Sequence, residues 1–412
     1  MNPVKEHKSV TLKPVQDIGD QIIPLPASKS ESNRALIIQA LANGNSIELS
    51  NLAEARDTQT MIRLLADRSD LKDVLDAGTT MRFLTAYYAI SDQEVTMTGT
   101  PRMCQRPIGI LVDALREIGA DINYLDQEGY PPLLIKPFTA QQVDKISIRG
   151  DVSSQYISAL LMIAPKLSKG LSIELTGTIG SRPYIEMTLA LMSQFGVKHT
   201  WEKNTIYIPA QSYQAQSYAI EGDWSGASYW FSLLALAKSG SLFIQGLKEK
   251  SLQGDASIVD IMSYLGIKTA FKEDGILLEK IPVKGIKQYD FLHCPDIAQT
   301  VAVTCAGLGL SMTFSGLESL RIKETDRIAA LQAELSKVGA KFEEIETGFW
   351  QLTPSNKLPE IASFETYDDH RMAMAFAPLG TLMQLDIADP EVVNKSYPSF
   401  WQHLAICGFE MT

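Results

Sequence analysis

The chain has few of the residues that build metal centres or disulfide frameworks. It contains four cysteines and five histidines in 412 residues, and the cysteines form neither a CxxC pair nor a cluster with the histidines. Structural zinc sites and small disulfide-stapled folds need such clusters, so we expect neither. Unpaired cysteines fit a reducing cytoplasm, where we expect the protein to reside.

Long apolar runs and positive charge are also scarce. The longest apolar stretches, residues 156–165 and 301–310, are shorter than the roughly 18 residues of a membrane span, so they predict buried helices. The first ten residues hold no apolar segment before a cleavage site, and we expect no secretory signal. The formal net charge of −11 disfavours nucleic acid as a partner, although local Lys and Arg clusters can still bind small anions.

The chain repeats a unit that begins with a polar helix start and continues with an apolar helix, a glycine turn and an apolar strand. Six copies begin at residues 28–32, 78–80, 153–155, 225–228, 296–298 and 368–371. A second helix and a hairpin complete each predicted copy of about seventy residues, so the pattern indicates a repeat fold. The first copy is shorter, because the hairpin expected between Asp67 and Asp76 is missing.

Each helix start is explained either as a cap on a structural repeat or as part of an anion site. Helix N-termini present unpaired N–H groups and partial positive charge, so six of them facing one cleft would suit a ligand with several negative charges. Ser30 and Arg34 would share one helix face. Lys323 and Arg327 would share another, where like charges need an anion between them.

Three starts differ in the chemistry they offer. Gly78 permits close approach to the backbone, as a phosphate cradle requires, and a plain Gly-Thr cap explains it equally well. Asp296 is either a helix cap or a base that removes a hydroxyl proton. The start at 225–228 carries no charged residue, and we interpret it as capping only.

Taken in order, six segments resemble the 5-enolpyruvylshikimate-3-phosphate synthase family of enolpyruvyl transferases. They are SKSESNR (28–34), GT (78–79), RPIG (106–109), SSQ (153–155), KETDR (323–327) and DHRMAM (369–374). The resemblance implies an α/β fold, an inside-out α/β barrel of six βαβαββ repeats in two domains, three per domain, with the first repeat lacking its hairpin. One domain would span residues 28–221 and the other residues 1–27 and 222–412, with hinge crossings near 27 and 221.

The resemblance also implies a reaction. The enolpyruvyl group of phosphoenolpyruvate would move to the 5-hydroxyl of shikimate 3-phosphate through a tetrahedral intermediate, with release of phosphate, as in aromatic amino acid biosynthesis. Neither a metal nor an organic cofactor would take part. We expect a cytoplasmic monomer that binds neither nucleic acid nor membrane.

The site residues of the family carry over position by position. Asp296 would accept the 5-hydroxyl proton, while Glu324 and Lys29 would carry protons to and from the methylene carbon. The ligands of shikimate 3-phosphate would be Ser30, Arg34, Ser153, Ser154, Gln155, Ser181, Tyr184, Asp296 and Lys323. The ligands of phosphoenolpyruvate would be Lys29, Gly78, Arg106, Gln155, Arg327, Arg371 and Lys395. Such cations and helix ends would offset the repulsion between two anionic substrates.

Three positions depart from the family pattern, besides the missing hairpin. Asp76 stands where the family usually has Asn, and its carboxylate would either weaken anion affinity or pair with an Arg. Ser319 and Ala27 replace a frequent Asn and a frequent Gly. Two alternatives stay open: the sister enzyme that transfers enolpyruvyl to UDP-N-acetylglucosamine with a loop cysteine as acid, for which Cys104 is a candidate, and a catalytically degraded ligand-binding homologue.

Overall fold

The computed structural model of the chain describes residues 8–42, 46–180 and 182–412. Ser181, a predicted phosphate ligand, lies outside these residues, so its role stays a prediction. The chain divides into two compact units. The continuous unit comprises Ala27–Ile220, and the discontinuous unit combines the residues up to Pro26 with Glu221–Thr412.

Both units alternate helices with short strands. In chain order the helices are α1 (Lys29–Leu41), α2 (Arg56–Ala66), α3 (Gly78–Ala89), α4 (Gly109–Ile118), α5 (Ser154–Ile163), α6 (Arg182–Gln194), α7 (Trp224–Leu236), α8 (Ile258–Tyr264), α9 (Ala298–Leu308), α10 (Arg327–Lys337), α11 (His370–Phe376) and α12 (Phe400–Ile406). The strands are β1 (Ser9–Leu12), β2 (Asp17–Pro24), β3 (Glu48–Ser50), β4 (Leu71–Asp73), β5 (Val95–Thr98), β6 (Ile122–Tyr124), β7 (Leu133–Ile135), β8 (Lys145–Arg149), β9 (Leu171–Thr176), β10 (Thr200–Glu202), β11 (Thr205–Ile208), β12 (Ser217–Ala219), β13 (Ser239–Gln245), β14 (Ile267–Lys272), β15 (Gly275–Lys280), β16 (Gln288–Asp290), β17 (Met312–Ser315), β18 (Lys341–Glu346), β19 (Phe349–Thr353), β20 (Ile361–Phe364) and β21 (Gln384–Ala388). Within the described ranges, every helix is too short or too polar to cross a membrane.

The described strands form three small sheets in each unit, and every sheet contains one parallel pair. The strand orders in the continuous unit are β6-β7-β5-β4, β10-β11-β9-β8 and β12-β3. Those in the discontinuous unit are β14-β15-β13-β2, β18-β19-β17-β16 and β1-β21-β20. In each four-stranded sheet an antiparallel hairpin extends the parallel pair, as a βαβαββ repeat requires. The predicted α/β architecture is confirmed.

The first repeat lacks its hairpin, as the sequence predicts. Helix α2 ends at Ala66 and β4 begins at Leu71, so only a short connection joins them, and the sheet of this repeat has the two strands β12 and β3. Buried Lys72 holds the connection in place. Its ammonium donates to the Asp67 carbonyl oxygen at 2.6 Å and lies 5.5 Å from the centre of the Tyr88 ring.

Three strands pair with partners that are distant along the chain. Strand β1 pairs antiparallel with β21, and thus completes the last repeat from the other end of the chain. Strand β2 leads into α1 of the continuous unit, yet it pairs with β13 of the discontinuous unit. Strand β12 leads into α7, yet it pairs with β3. The first sheet of each unit therefore depends on a strand that lies directly before a crossing in the chain.

The helices that carry the predicted starts lie inside each unit. All 13 residues of α7 are buried, and a helix that is apolar on every side belongs in a core. Helices α1, α3 and α5 pack against one another in the continuous unit, and α7, α9 and α11 do so in the discontinuous unit. This packing brings the polar starts of neighbouring helices into contact.

Candidate functional site

Arg34 is a buried cation in the continuous unit. Its guanidinium donates to the Thr188 hydroxyl at 2.7 Å, to the Ser158 hydroxyl at 3.1 Å and to the Ser30 carbonyl oxygen at 2.8 Å. Burial lowers the pKa of Arg34 to about 10, against an opposing effect of Tyr184, so the side chain stays charged at neutral pH. The neutral hydroxyls around it hold the cation in place without neutralising it.

Lys29 is the first residue of α1, which the Ser28 hydroxyl caps by accepting from the Glu31 N–H at 3.5 Å. Lys29 Nζ lies 3.3 Å from Asp57 Oδ2, and both side chains are mostly buried. The Thr80 hydroxyl donates to the Asp57 carbonyl oxygen at 3.1 Å. Asp57 is absent from the predicted site. Its part in orienting Lys29 depends on a contact between helices that no local motif signals.

Two guanidinium groups cover the start of α3 at Gly78. A Cβ atom at this position would lie 2.6 Å from Arg106 Nη1 and 2.7 Å from Arg82 Nη1, so a larger residue would displace these guanidinium groups. Arg82 is buried and donates to the Gly78 carbonyl oxygen at 2.9 Å and to the Pro107 carbonyl oxygen at 3.2 Å. The structure thus brings predicted Gly78 and Arg106 together. It adds Arg82, which lies four residues after Gly78 on the same helix face.

Asp76, the departure from the family pattern, is paired. Its Oδ2 lies 2.5 Å from Arg56 Nη2, and the Arg56 side chain is 46% exposed. Of the two outcomes that the sequence left open for this carboxylate, the structure shows the pairing with an arginine. An ion pair two residues before Gly78 lowers the net negative charge that an arriving anion meets.

The start of α5 supplies neutral hydrogen-bonding groups. Ser153 caps the helix, because its hydroxyl accepts from the Gln155 N–H at 3.4 Å. The Gln155 side chain reaches the start of α3 and donates to the Thr79 hydroxyl at 3.0 Å. Ser154 is buried, and the Tyr184 ring centre lies 5.8 Å from the Arg34 guanidinium carbon. These predicted ligands therefore share one region of the continuous unit.

Asp296 is the centre of a charged cluster in the discontinuous unit. Its Oδ1 lies 3.0 Å from Arg327 Nη1 and 3.5 Å from Lys323 Nζ, and its Oδ2 lies 3.2 Å from Arg371 Nη2. Neither the short 3-10 turn Pro295–Ile297 nor α9 has a side-chain cap, so the capping interpretation of Asp296 is wrong. The carboxylate is 12% exposed and faces three cations.

Arg327 holds three carboxylates at once. Besides Asp296, its guanidinium contacts Asp369 Oδ2 at 2.7 Å and Glu324 Oε2 at 2.8 Å. Burial lowers the pKa of Arg327, but these carboxylates outweigh burial and raise that pKa above its ordinary value. The prediction that Lys323 and Arg327 share a helix face is wrong, because α10 begins only at Arg327. The anion expected between them is present as the Asp296 carboxylate.

Arg371 connects Asp296 to Ser225, which the sequence analysis interpreted as capping only, and to Asp255, which it missed. Its Nη2 also lies 3.4 Å from the Ser225 hydroxyl, and that hydroxyl donates to Asp255 Oδ2. Burial, followed by the charge of Asp296, raises the pKa of Asp255 to about 7. The capping of α7 is done by Asp223, so the capping-only interpretation is wrong for Ser225. Asp255 follows Gln-Gly and lies in a short turn before α8, which is a weak signal.

Lys395 contacts the turn that precedes α11. Its ammonium donates to the Asp368 carbonyl oxygen at 2.7 Å and lies 3.0 Å from Asp368 Oδ2. Tyr367 and Asp368 both have left-handed backbones, with φ of 53° and 55°. The Tyr367 hydroxyl donates to Oε1 of fully buried Glu334 at 2.7 Å, which anchors this strained turn to α10.

Each unit therefore presents its own polar cluster of helix starts. The continuous unit offers the cations Lys29, Arg34, Arg82 and Arg106 with hydroxyl and amide groups, and the discontinuous unit offers a carboxylate among cations. Such groups can bind anions and can accept a proton from a hydroxyl. Among the described residues, no three His, Cys, Asp or Glu side chains come together as metal ligands.

Comparisons with known proteins point to one family. The family model described as EPSP synthase (3-phosphoshikimate 1-carboxyvinyltransferase) matches residues 13–68 and 64–404. The 3-phosphoshikimate 1-carboxyvinyltransferase of Bacteroides fragilis strain YCH46 is 47% identical over 397 residues, which is 94% of this chain and 95% of that protein. The protein of that name from Sulfurovum sp. strain NBC37-1 is 38% identical over 96% of this chain and 98% of its own length.

Solved structures agree at the level of the fold. An EPSP synthase from Acinetobacter baumannii superposes with a TM-score of 0.79 at 19% identity, covering 98% of this chain and 99% of that chain. A second structure of an EPSP synthase from that organism gives a TM-score of 0.77 at 17% identity. At these identities the likeness concerns the backbone arrangement.

Proposed function

The chain belongs to the EPSP synthase family, and on that premise we propose how its own residues carry the family's reaction. The enzyme transfers the enolpyruvyl group of phosphoenolpyruvate to the 5-hydroxyl of shikimate 3-phosphate and releases phosphate, a step of the shikimate pathway. The single observation that supports the assignment of roles is Asp296, a carboxylate held by three cations. The residue roles below are our proposals.

Asp296 accepts the proton of the attacking 5-hydroxyl. Opposite charges within about 4–6 Å favour the ionised form of a carboxylate, so the three cations keep Asp296 ready to act as a base. Phosphoenolpyruvate, which draws on Arg327 and Arg371, shares with Asp296 the donors of those two cations.

Glu324 and Lys29 carry the protons of the methylene carbon. As the substrate oxygen bonds to C2 of phosphoenolpyruvate, C3 gains a proton and a tetrahedral intermediate forms. When phosphate leaves, C3 returns a proton and the double bond is restored. Glu324 is anchored to Arg327 at 2.8 Å and Lys29 to Asp57 at 3.3 Å, so each carrier already has a counter-ion. That arrangement limits the rotational freedom lost when substrate binds.

The remaining predicted residues bind and orient the two anions. Phosphoenolpyruvate draws on Lys29, Gly78, Arg106, Gln155, Arg327, Arg371 and Lys395. Shikimate 3-phosphate draws on Ser30, Arg34, Ser153, Ser154, Gln155, Ser181, Tyr184, Asp296 and Lys323. Arg327 has all three guanidinium nitrogens on carboxylates, so phosphoenolpyruvate shares a donor with them. Because Gly78 has no side chain, the anion can reach the start of α3, where the Arg106 guanidinium lies.

The alternative of the UDP-sugar enzyme is not favoured. Relatives at 37–47% identity carry the name of the shikimate enzyme, which opposes the UDP-sugar enzyme. Cys104 lies in the short 3-10 turn Met103–Gln105 and is half-buried. A Cys104→Ala variant that loses turnover would bring that alternative back. We further propose that the enzyme acts as a monomer in the cytoplasm, where free cysteines such as its four persist.

The proposed roles are tested with a phosphate-release assay and with the Asp296→Asn variant. We expect the unmodified enzyme to release phosphate only when both substrates are present. The variant keeps the shape of the side chain but cannot take the proton. It should bind both substrates in calorimetry, while turnover falls about 10²- to 10⁴-fold, the usual contribution of general base catalysis.

Glu343→Gln is the matched control, because this carboxylate is exposed on β18 and its loss should leave turnover unchanged. Binding of both substrates to the unmodified enzyme without phosphate release would support a degraded homologue. Near-normal turnover of Asp296→Asn would remove Asp296 from the mechanism while leaving the assigned activity in place.

A further inference from the structure

Asp255 is a buried carboxyl group that the reaction scheme above does not use. It is 5% exposed and follows Gly254 in the short turn that precedes α8. In the described part of the chain neither that turn nor α8 has a side-chain cap, so capping does not explain the residue. Burying a carboxylate is unfavourable unless it is paired or hydrogen-bonded, so the position calls for a reason.

The contacts of Asp255 lead to the centre of the charged cluster. The Ser225 hydroxyl donates its single proton to Asp255 Oδ2, which turns the hydroxyl lone pairs toward Arg371 Nη2 at 3.4 Å. That same Nη2 lies 3.2 Å from Asp296 Oδ2. A continuous chain of polar contacts therefore leads from the buried carboxyl of Asp255, through Ser225 and Arg371, to the proposed base Asp296.

We propose that Asp255 is a positioning residue for Arg371, and that its ionised carboxylate, acting through the Ser225 hydroxyl, fixes the orientation in which Arg371 meets Asp296 and phosphoenolpyruvate. The inference rests on the proposed function, because it concerns the same cluster. An ionised Asp255 accepts only, so the hydroxyl of Ser225 has one available direction. A protonated Asp255 can donate to Ser225, and the hydroxyl then no longer has to present a lone pair to Arg371.

The charged groups around Asp255 make the positioning of Arg371 depend on pH near neutrality. Asp223 faces it from the start of α7, Cys294 and Asp296 from the segment before α9, and Arg371 from α11. Burial and the negative charge of Asp296 favour the protonated acid, whereas Arg371 and the Ser225 hydrogen bond favour the ion. The resulting pKa of about 7 means that Asp255 is ionised above pH 7 and protonated below it.

The test is steady-state kinetics of phosphate release from pH 5.5 to 8.5 with Asp255→Asn, Ser225→Ala and the double variant. At pH 8 each single variant should raise the KM for phosphoenolpyruvate about fivefold, the effect of one modest hydrogen bond. The double variant should be no worse than either single variant, because both changes break the same chain of polar contacts. Asp260→Asn, an exposed carboxylate on α8, is the control and should behave as the unmodified enzyme does.

The pH profile separates positioning from a general structural role. Substrate ionisation is common to all variants, so the ratio of kcat/KM between the unmodified enzyme and Asp255→Asn isolates Asp255. This ratio should fall toward one as the pH drops below 7. A ratio that does not change with pH overturns the inference. The inference is also overturned if the rise in KM of the double variant equals the product of the rises in the two single variants. If Asp255→Asn does not fold, the test is the KM of Ser225→Ala for phosphoenolpyruvate, and a KM equal to that of the unmodified enzyme overturns the inference.

The outcome for the unmodified enzyme keeps the two proposals apart. If it releases no phosphate from the two substrates at any pH, the proposed function fails, and the inference about Asp255 that rests on it fails as well. If it releases phosphate and Asp255→Asn matches it in KM and pH profile, only the inference about Asp255 fails.

Discussion

Asp255 should make the discontinuous unit less stable as the pH rises, and Asp255→Asn should remove that effect. The pKa of Asp255 moves from 3.8 to about 7 on folding, because burial penalises the charged form. A pKa that is higher in the folded state stabilises the protein at low pH, and that stabilisation is lost as the pH rises through about 7. Integrating the two titration curves between pH 5 and pH 8 gives a loss of roughly 2.5 kcal/mol in the free energy of unfolding.

The assay is guanidinium denaturation at pH 5 and pH 8, followed by tryptophan fluorescence. Four of the five tryptophans, at positions 224, 230, 350 and 401, lie in the discontinuous unit, so the emission reports mainly the unit that contains Asp255. Relative to the unmodified protein, Asp255→Asn should gain about 2.5 kcal/mol between the two pH values. Other titrating groups cancel in this difference.

Asp260→Asn again serves as the control and should show no such gain. A free-energy difference between Asp255→Asn and the unmodified protein that stays constant with pH would refute the reasoning. A difference of opposite sign would mean that Asp255 is better stabilised as an ion when folded than when unfolded. The first result would show that the contacts with Ser225 and Arg371 balance burial, and the second that they outweigh it.

Three further predictions concern the anion site and its supports. Gly78→Ala places a Cβ atom 2.6 Å from Arg106 Nη1 and should raise the KM for phosphoenolpyruvate about tenfold or more, measured by phosphate release, while the melting temperature changes little. Arg56→Ala uncovers the Asp76 carboxylate and should raise the same KM severalfold, and adding Asp76→Asn should restore it; a double variant as poor as Arg56→Ala would contradict this explanation. Glu334→Gln removes one acceptor from the anchor of the left-handed turn, so calorimetry should show a free energy of unfolding lower by about 1–3 kcal/mol. The phosphate-release assay should show a lower kcat/KM for phosphoenolpyruvate. An unchanged kcat/KM would mean that the turn does not affect the site.

The local features of the fold are largely predictable from the sequence. Apolar periodicity and helix caps mark the helices, and Ser28, Ser153 and Asp369 cap the helices as their residue types suggest. The missing first hairpin is predictable because the ten residues from Asp67 to Asp76 leave little room for it. These features depend on residues that are close together along the chain.

The features that the sequence did not reveal depend on contacts between distant segments. Asp255 meets Arg371 through Ser225, and these three residues belong to three different elements. Lys323 and Arg327 looked like neighbours on a helix, whereas Asp296, which lies 27 and 31 positions before them, brings them together. A single sequence shows which side chains can form an ion pair but does not show which of them meet.

The pairing of β2 with β13 has a consequence for the order in which the chain folds during synthesis. Ile22 pairs with Phe243, which the ribosome adds 221 residues later. At 5–20 residues per second β2 waits roughly 10 to 45 s for its partner, and meanwhile it is an unpaired strand. The continuous unit has all its strands once Ala219 has been added. The nascent chain should therefore fold from its middle outward, and its first strands should be the last to find their places.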